Sequence, residues 1–157
     1  MQSIEDLDTV TDAVLSASRV LVAVAARSLA QLSDDVTLPQ YRALVVLASR
    51  GPQPTGVLAE QLDVSPSTAT RLCDRLVRKG LVYRRTSPTS RREVEVGLRE
   101  GGRRLVRTVT RRRRQAIAKI VGAIPPTHRY ALVTVLREFS DAAGEVPEQA
   151  WSLGWGP

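Results

Sequence analysis

A single cysteine, Cys73, and a single histidine, His128, exclude several chemistries at the outset. One thiol cannot build an internal disulfide framework or a cysteine-based zinc site. One imidazole without a ligand cluster offers no metal site, so no metal and no cofactor are expected. There is no Gly-rich phosphate loop and no recognisable Ser–His–Asp arrangement, so no catalytic residue is assigned and the chain is not expected to be an enzyme. Aromatic residues make up only 4% of the chain, and most apolar residues are Leu, Val and Ala, which favours helix packing over a β-sandwich. No apolar run approaches the roughly 18 residues of a membrane span. No basic segment followed by an apolar run marks a signal peptide. The expectation is a cytoplasmic protein with no membrane partner.

What is present is a basic chain of 157 residues, 43% hydrophobic and 25% charged, enough for one packed domain over residues 1–157. Lysine occurs only at Lys79 and Lys119, so the net charge of +7 is carried by arginine. Its distribution is uneven. Residues 1–40 carry six acids and two bases, residues 55–99 nine bases and five acids, and residues 100–157 ten bases and five acids. The basic character therefore sits in the middle and last thirds, where it suits a polyanionic partner.

Apolar residues at Leu7, Val10, Val14, Ala17, Leu21 and Val24 are spaced 3-4-3-4-3, which predicts a helix over 4–32 with one apolar seam. Ser33-Asp34-Asp35 ends it. A second helix opens at Leu38-Pro39, proline suiting the first turn, and stops at Gly51-Pro52-Gln53-Pro54. Thr55 reads as the N-cap of a short third helix reaching Leu62. After Asp63-Val64, Ser65 caps a fourth helix with Pro66 in its first position, and Gly80 closes it as a left-handed residue. Two short strands follow, over 81–85 and 93–96, joined by the polar loop 86–92. A long helix is expected over 100–123. After Pro125-Pro126 a last helix covers 127–143, turning Leu132, Val135, Leu136, Phe139, Ala142 and Ala143 inward, and Gly144 ends it. His128 falls in its first turn. The tail, with Trp151 and Trp155, reads as short and irregular.

This order is helix, tight turn, helix, strand, basic loop, strand: a winged helix-turn-helix, in a mainly α chain with a small β-hairpin wing and a second helical lobe. On a wheel of about 100° per residue, Ala69, Leu72, Cys73 and Leu76 share one face of the helix at 65–79. The opposite side carries Ser67, Arg71, Asp74 and Arg78, with Thr68, Thr70 and Arg75 at its flanks. Short hydroxyls near a helix N-terminus permit close approach to a major groove, and arginine reaches guanine edges bidentately. The candidate DNA-binding residues are therefore Ser65, Ser67, Thr68, Thr70, Arg71, Arg75 and Arg78 on the helix, Arg84 and Arg85 for phosphates, and Arg91 and Arg92 for an adjacent minor groove. Asp74 either orients Arg71 or Arg78 at helical spacing or accepts from a cytosine amine. Cys73, on the apolar face without an evident cationic partner, reads as a small hydrophobe rather than a redox sensor. The run Arg111-Arg112-Arg113-Arg114 spans all sides of its helix and reads as a solvated neck between two lobes.

Over residues 5–144 the chain resembles the MarR family of bacterial transcriptional regulators. The residues that carry this are LAEQLDVSPSTATRLCDRLVRKGLV, the following Arg84-Arg85, a wing ending in SRREVEV, and Gly101 after Leu98. The resemblance implies a homodimer whose helical lobe, 4–32 and 100–144, pairs two copies. It implies that the lobe 38–98 reads one half of a palindrome in double-stranded DNA, as a repressor by family habit. The wing would place Arg92 in the minor groove with Arg91 beside it. A pocket for a small aromatic or phenolic ligand between the lobes is implied as well, with Tyr41 a candidate lining residue. Two departures stand out. Ser87 and Ser90 replace the aspartates usual near the wing tip, which implies a less pre-organised wing. Arg99 replaces the usual threonine before the fifth helix, which leaves that helix without its ordinary cap. A winged helix that binds protein or RNA instead is the competing reading; the basic recognition face argues against it.

Overall fold

The computed structural model describes residues 2–33 and 35–151; Asp34 and Trp155 lie outside the described residues. Helix α1 covers Gln2–Ala30, α2 Leu38–Arg50, α3 Thr55–Gln61, α4 Pro66–Arg78, α5 Glu100–Gly122 and α6 Pro126–Ala142. Strands β1 (Gln53–Pro54), β2 (Val82–Thr86) and β3 (Val94–Leu98) form an antiparallel sheet in the order β1-β3-β2, and a 3-10 turn spans Glu148–Ala150.

α2 is the centre of the molecule. Thr37 caps it with a capping box: its hydroxyl accepts from the Gln40 amide at 3.3 Å, and Gln40 Oε1 accepts from the Thr37 amide at 3.2 Å. Nine of its residues, including the run Ala43–Ser49, are buried, so it is wrapped on every side. Leu58 of α3, Cys73 and Leu76 of α4, Val82 and Val96 of the sheet, and Val106 and Val109 of α5 join it in one core.

The local signals around α4 hold. Ser65 Oγ accepts from the Thr68 amide at 3.2 Å, Pro66 occupies the first turn, and Gly80 sits at φ 69°. Asp63 takes the left-handed turn between α3 and α4 at φ 52°. Thr55 is different from expectation: it is the first helical residue, preceded by Pro54, and its hydroxyl donates to Val94 O at 3.3 Å. A third strand, β1, lies where only a helix stop was expected. Two residues carry too little periodicity to announce a strand, and Pro54 is tolerated because β1 is an edge. Gly97 faces Tyr83 across β2 and β3, and any Cβ there would overlap the Tyr83 side chain. Arg99 precedes α5 with no side-chain cap, as expected; its amide is satisfied by Leu81 O at 2.9 Å.

The last helix departs most from the sequence reading. Leu132, Val135, Leu136, Phe139, Ala142 and Ala143 do not turn inward: α6 has no buried residue, Phe139 is 54% exposed and Leu132 is half-buried. The α1 seam, by contrast, is open as a seam that needs a partner should be, with Leu7 64% exposed, and burial begins at Val24. Periodicity identifies an apolar face but not what covers it, and among the described residues no element buries these faces. The membrane expectation also needs correction. Asp6–Ala30 is long and apolar enough, by length and composition, to cross a membrane. Scattered charges such as Asp8, Asp12 and Arg19 break the apolar run without lowering the average enough.

The tail is ordered rather than irregular through Trp151. Arg50 donates to Gly144 O and Arg42 pairs with Glu145, each at 2.8 Å. Trp151 is buried in the core, its indole N–H donating to Val146 O at 3.2 Å.

Candidate nucleic-acid interface

α4 presents one apolar and one polar face, as its sequence spacing requires. Ala69, Cys73 and Leu76 are fully buried, with Leu72 half-buried beside them. Ser65, Ser67, Thr70, Arg71, Arg75 and Arg78 are exposed, and Thr68 is half-buried. The hydroxyls at the N-terminus form a cluster. Ser65 Oγ lies 3.1 Å from Ser67 Oγ and donates to Thr68 Oγ1 at 2.9 Å, while Arg71 Nη2 donates to the same Thr68 oxygen at 3.2 Å. Arg71 is thereby drawn toward the end of the helix that would enter a groove first. Thr70 Oγ1 donates to Pro66 O at 2.9 Å, which turns the hydroxyl back to the helix backbone.

Asp74 does not pair with Arg71 or Arg78. Its Oδ1 lies 2.8 Å from Arg84 Nη1 on β2. Arg78 instead donates to the Asp74 carbonyl at 3.4 Å. Helical spacing pointed to neighbours on the same helix, but the sheet packs against α4 and brings a closer cation. Arg85 is also engaged, 2.7 Å from Glu95 on β3 and stacked over the Tyr83 ring at 5.1 Å. Arg84 and Arg85, expected to face phosphates, are thus both held in ion pairs at the surface of the reading head. Burial pushes the Cys73 thiol up from its ordinary range; the nearby Arg84 opposes this and Asp74 adds to it.

The wing is closed by Ser87 N donating to Glu93 O at 2.8 Å and by Glu93 N donating to Ser90 O at 3.2 Å. Ser87 Oγ accepts from the Thr89 amide at 3.3 Å and lies 3.0 Å from Thr89 Oγ1. Hydroxyls, rather than the absent aspartates, therefore order the loop backbone. Arg91 and Arg92 form its tip, exposed and without an ion pair among the described residues.

Two grooves flank α4. One, of about 570 Å³, runs between the wing and α3 and joins Thr55, Gly56, Thr70, Arg84 and Arg92. The other, of about 380 Å³, lies between α2 and α4 and joins Thr37, Gln40, Thr68, Arg71 and Arg75. Arg92, Arg84 and Thr70 are thus brought together on one side, and Arg71, Arg75 and Thr68 on the other. Ser65, Ser67, Arg78, Arg85 and Arg91 line neither groove. Thr37, Gln40, Thr55 and Gly56 went unrecognised as groove residues; the T-L-P-Q capping-box spacing was the available signal for the first two.

Elsewhere, the run Arg111–Arg114 of α5 does not form a uniform solvated collar, since Arg112 and Arg113 are half-buried. Arg111 is exposed, Arg112 donates to Gln31 Oε1 at 3.0 Å, and Arg114 lies 3.9 Å from Glu148. Tyr41 is buried in the core, its Oη without a hydrogen-bond partner. His128 is exposed in the first turn of α6, and among the described residues no three His, Cys, Asp or Glu side chains converge as metal ligands.

Comparison with known proteins agrees with this geometry. The model of the MarR family matches residues 36–94, from the start of α2 to the far side of the wing. An HTH-type transcriptional regulator of Mycobacterium bovis, Mb0904, is 32% identical over 109 residues, covering 69% of this chain and 73% of the relative. The crystal structure of RV1404 from Mycobacterium tuberculosis superposes with a TM-score of 0.84 at 46% identity, covering 90% of this chain and 97% of that one. BpsR of Bordetella bronchiseptica, described by its regulation of DNA binding by 6-hydroxynicotinic acid, superposes with a TM-score of 0.64 at 25% identity over 84% of this chain and 93% of its own. A capped helix with an arginine-bearing outer face, an arginine-tipped wing and these likenesses lead to one assignment: the chain belongs to the MarR family of DNA-binding, helix-turn-helix transcriptional regulators.

Proposed function

We propose that the protein acts as a homodimeric repressor in the cytoplasm, reading a palindromic duplex with the helix at 65–79 in the major groove and the wing at 86–92 in the minor groove, and released by a small ligand. The observation that carries this reading is the pair of grooves beside α4, which set Arg71 and Arg92 on opposite flanks of one exposed polar face. A helix placed in a major groove would bring Arg71 to base edges while Arg92 reached the neighbouring minor groove.

Support for the dimer is the open apolar surface of α1 and α6. Val10 is 58% exposed, Val135 58%, Leu136 50% and Phe139 54%, a concentration that marks an interface. The same α1 composition that suits a membrane suits a helix buried in an assembly, and the partner we assign is a second copy, with 4–32 and 100–144 as the pairing lobe and 38–98 as the reading lobe. Ligand release is supported by BpsR, whose DNA binding is regulated by 6-hydroxynicotinic acid. Two reading heads related by a two-fold axis would meet half-sites about one helical turn, roughly 10 bp, apart.

Selection of duplexes from a random pool by the purified protein tests the reading, with mass measured by light scattering. A palindrome with half-sites one turn apart and a mass of two chains are expected. Sequence-independent binding at every salt concentration, or a monomer on DNA, would sink it.

A further inference from the structure

α6 ends in a Schellman turn. Glu145 N donates to Ser140 O and Gly144 N to Asp141 O, each at 3.0 Å, and Gly144 takes φ 68°. The left-handed residue reverses the chain and sends it back to α2. There Arg50 donates to Gly144 O and Arg42 pairs with Glu145, each at 2.8 Å. Val146 packs against the core, and a 3-10 turn closed by Ala150 N donating to Pro147 O delivers Trp151 into it. Trp151 is 8% exposed.

The end of a domain is poorly ordered unless something ties it down. Here the ties are stronger than those of the helix before them. α6 buries none of its residues, whereas the segment after it buries Trp151 and part of Val146. At its first turn Arg129 donates to Gly122 O and Ile124 O, both at 2.9 Å, which fixes the corner with α5. α6 is therefore pinned at both ends, and its far end is pinned to α2. Arg42 and Arg50 stand about two turns apart on that helix. Two tethers along α2 and one buried indole fix the direction of α6 as well as its position.

We propose that Gly144–Trp151 is a strap that holds α6 at a set angle to α2, and so sets the spacing of the two reading heads on a duplex. A second copy seated on the open face of α6 takes its position from α6, and the reading head takes its position from α2. The strap joins the two, and loosening it lets each head swing against the pairing lobe. The effect on spacing rests on the dimeric reading above; the fastening of α6 does not.

The test uses the full-length protein in three forms besides wild type: Trp151→Ala, the conservative Trp151→Phe, and the double variant Arg42→Met with Arg50→Met. The double variant changes exposed side chains only, so it decides if Trp151→Ala does not fold. Nitroxide labels at Glu60→Cys on α3 and Arg137→Cys on α6, both exposed positions, report the angle between head and α6. Labelled protein is diluted with unlabelled protein so that distances within one chain are read. A narrow distribution is expected in wild type and Trp151→Phe, and a broadened one in Trp151→Ala and the double variant. Equal breadth in all four overturns the strap, and this arm reads it even if the protein proves monomeric.

The second arm measures affinity for the selected duplex and for duplexes with two base pairs inserted between the half-sites. Insertion should weaken wild type and Trp151→Phe by at least about tenfold, but the loosened variants by less than about threefold. Their mass by light scattering and their affinity for a single half-site should stay at wild-type values. Broadened distances with undiminished discrimination against the insertion would overturn the control of spacing alone.

Discussion

Asp74 on the recognition helix and Arg84 on β2 are joined by a 2.8 Å ion pair, and the Arg84 charge opposes the upward push that burial gives the neighbouring Cys73 thiol. The arginine therefore ties α4 to the sheet that carries the wing. Both partners are part-exposed, so their contribution to stability is small, of order 1 kcal/mol or less. Their value is geometric, in holding the angle between helix and wing. Arg84→Met and Asp74→Asn should each weaken DNA binding several-fold while leaving the dependence of affinity on salt unchanged. Loss of a phosphate contact would instead lower the log–log salt slope by about one. Titrations at several salt concentrations separate the two, and a reduced slope in Arg84→Met alone would reassign Arg84 to the phosphates.

Arg71 is held near the helix N-terminus by Thr68 Oγ1 at 3.2 Å. Arg71→Ala should cost about 1–3 kcal/mol on the preferred duplex and relax preference at one base position. Binding measured on a set of single-base variants shows this directly. Equal weakening on every variant would mean that Arg71 contacts only phosphate.

Arg92 lines the groove beside Thr70 but has no ion pair among the described residues to hold it. Arg92→Ala should weaken binding most at sites with A·T-rich flanks, where a narrow minor groove concentrates negative potential. Unchanged affinity at those sites removes the wing from the contact surface.

Cys73 is fully buried, and burial keeps its thiol protonated through the neutral range. Peroxide should leave DNA binding of the wild-type protein unchanged, because the thiolate is the reactive form. Cys73→Ser should bind DNA normally while losing about 1–3 kcal/mol of stability to a buried hydroxyl, read from denaturant midpoints. A peroxide response present in the wild type and absent from Cys73→Ser would establish redox sensing.

Phe139 is 54% exposed at the end of the open α6 face. Phe139→Asp should shift the protein to a monomer by light scattering and abolish tight binding to a two-half-site duplex. The stability of the single chain should change by only about 0.5 kcal/mol, since the side chain is more than half exposed in it. A dimer of undiminished affinity would place the interface elsewhere.

The sequence was most legible where local chemistry decides structure. Ser65-Pro66 at one end and Gly80 at the other bound α4 because a cap and a left-handed glycine act within a few residues, and the 3.6-residue period assigned Ala69, Cys73 and Leu76 to the core. The same reasoning foresaw that α5 begins without a side-chain cap. It failed at β1, where two residues depend entirely on pairing with Val96 and Glu95. It failed again at α6, whose apolar period was read as burial within the chain although none of its residues is buried by the described elements.

The sequence by itself determined the element order, the capped recognition helix with its buried and polar faces, and the basic wing. These follow from propensity, capping and periodicity, which operate over one or two turns of chain. Only the tertiary structure decided which charge Asp74 meets, that Arg85 is taken by Glu95, and that Trp151 returns to the core. It alone fastened Gly144 and Glu145 to α2 through Arg50 and Arg42. Each of these joins residues distant along the chain or on separate elements, and such contacts depend on how elements pack, which no local pattern encodes.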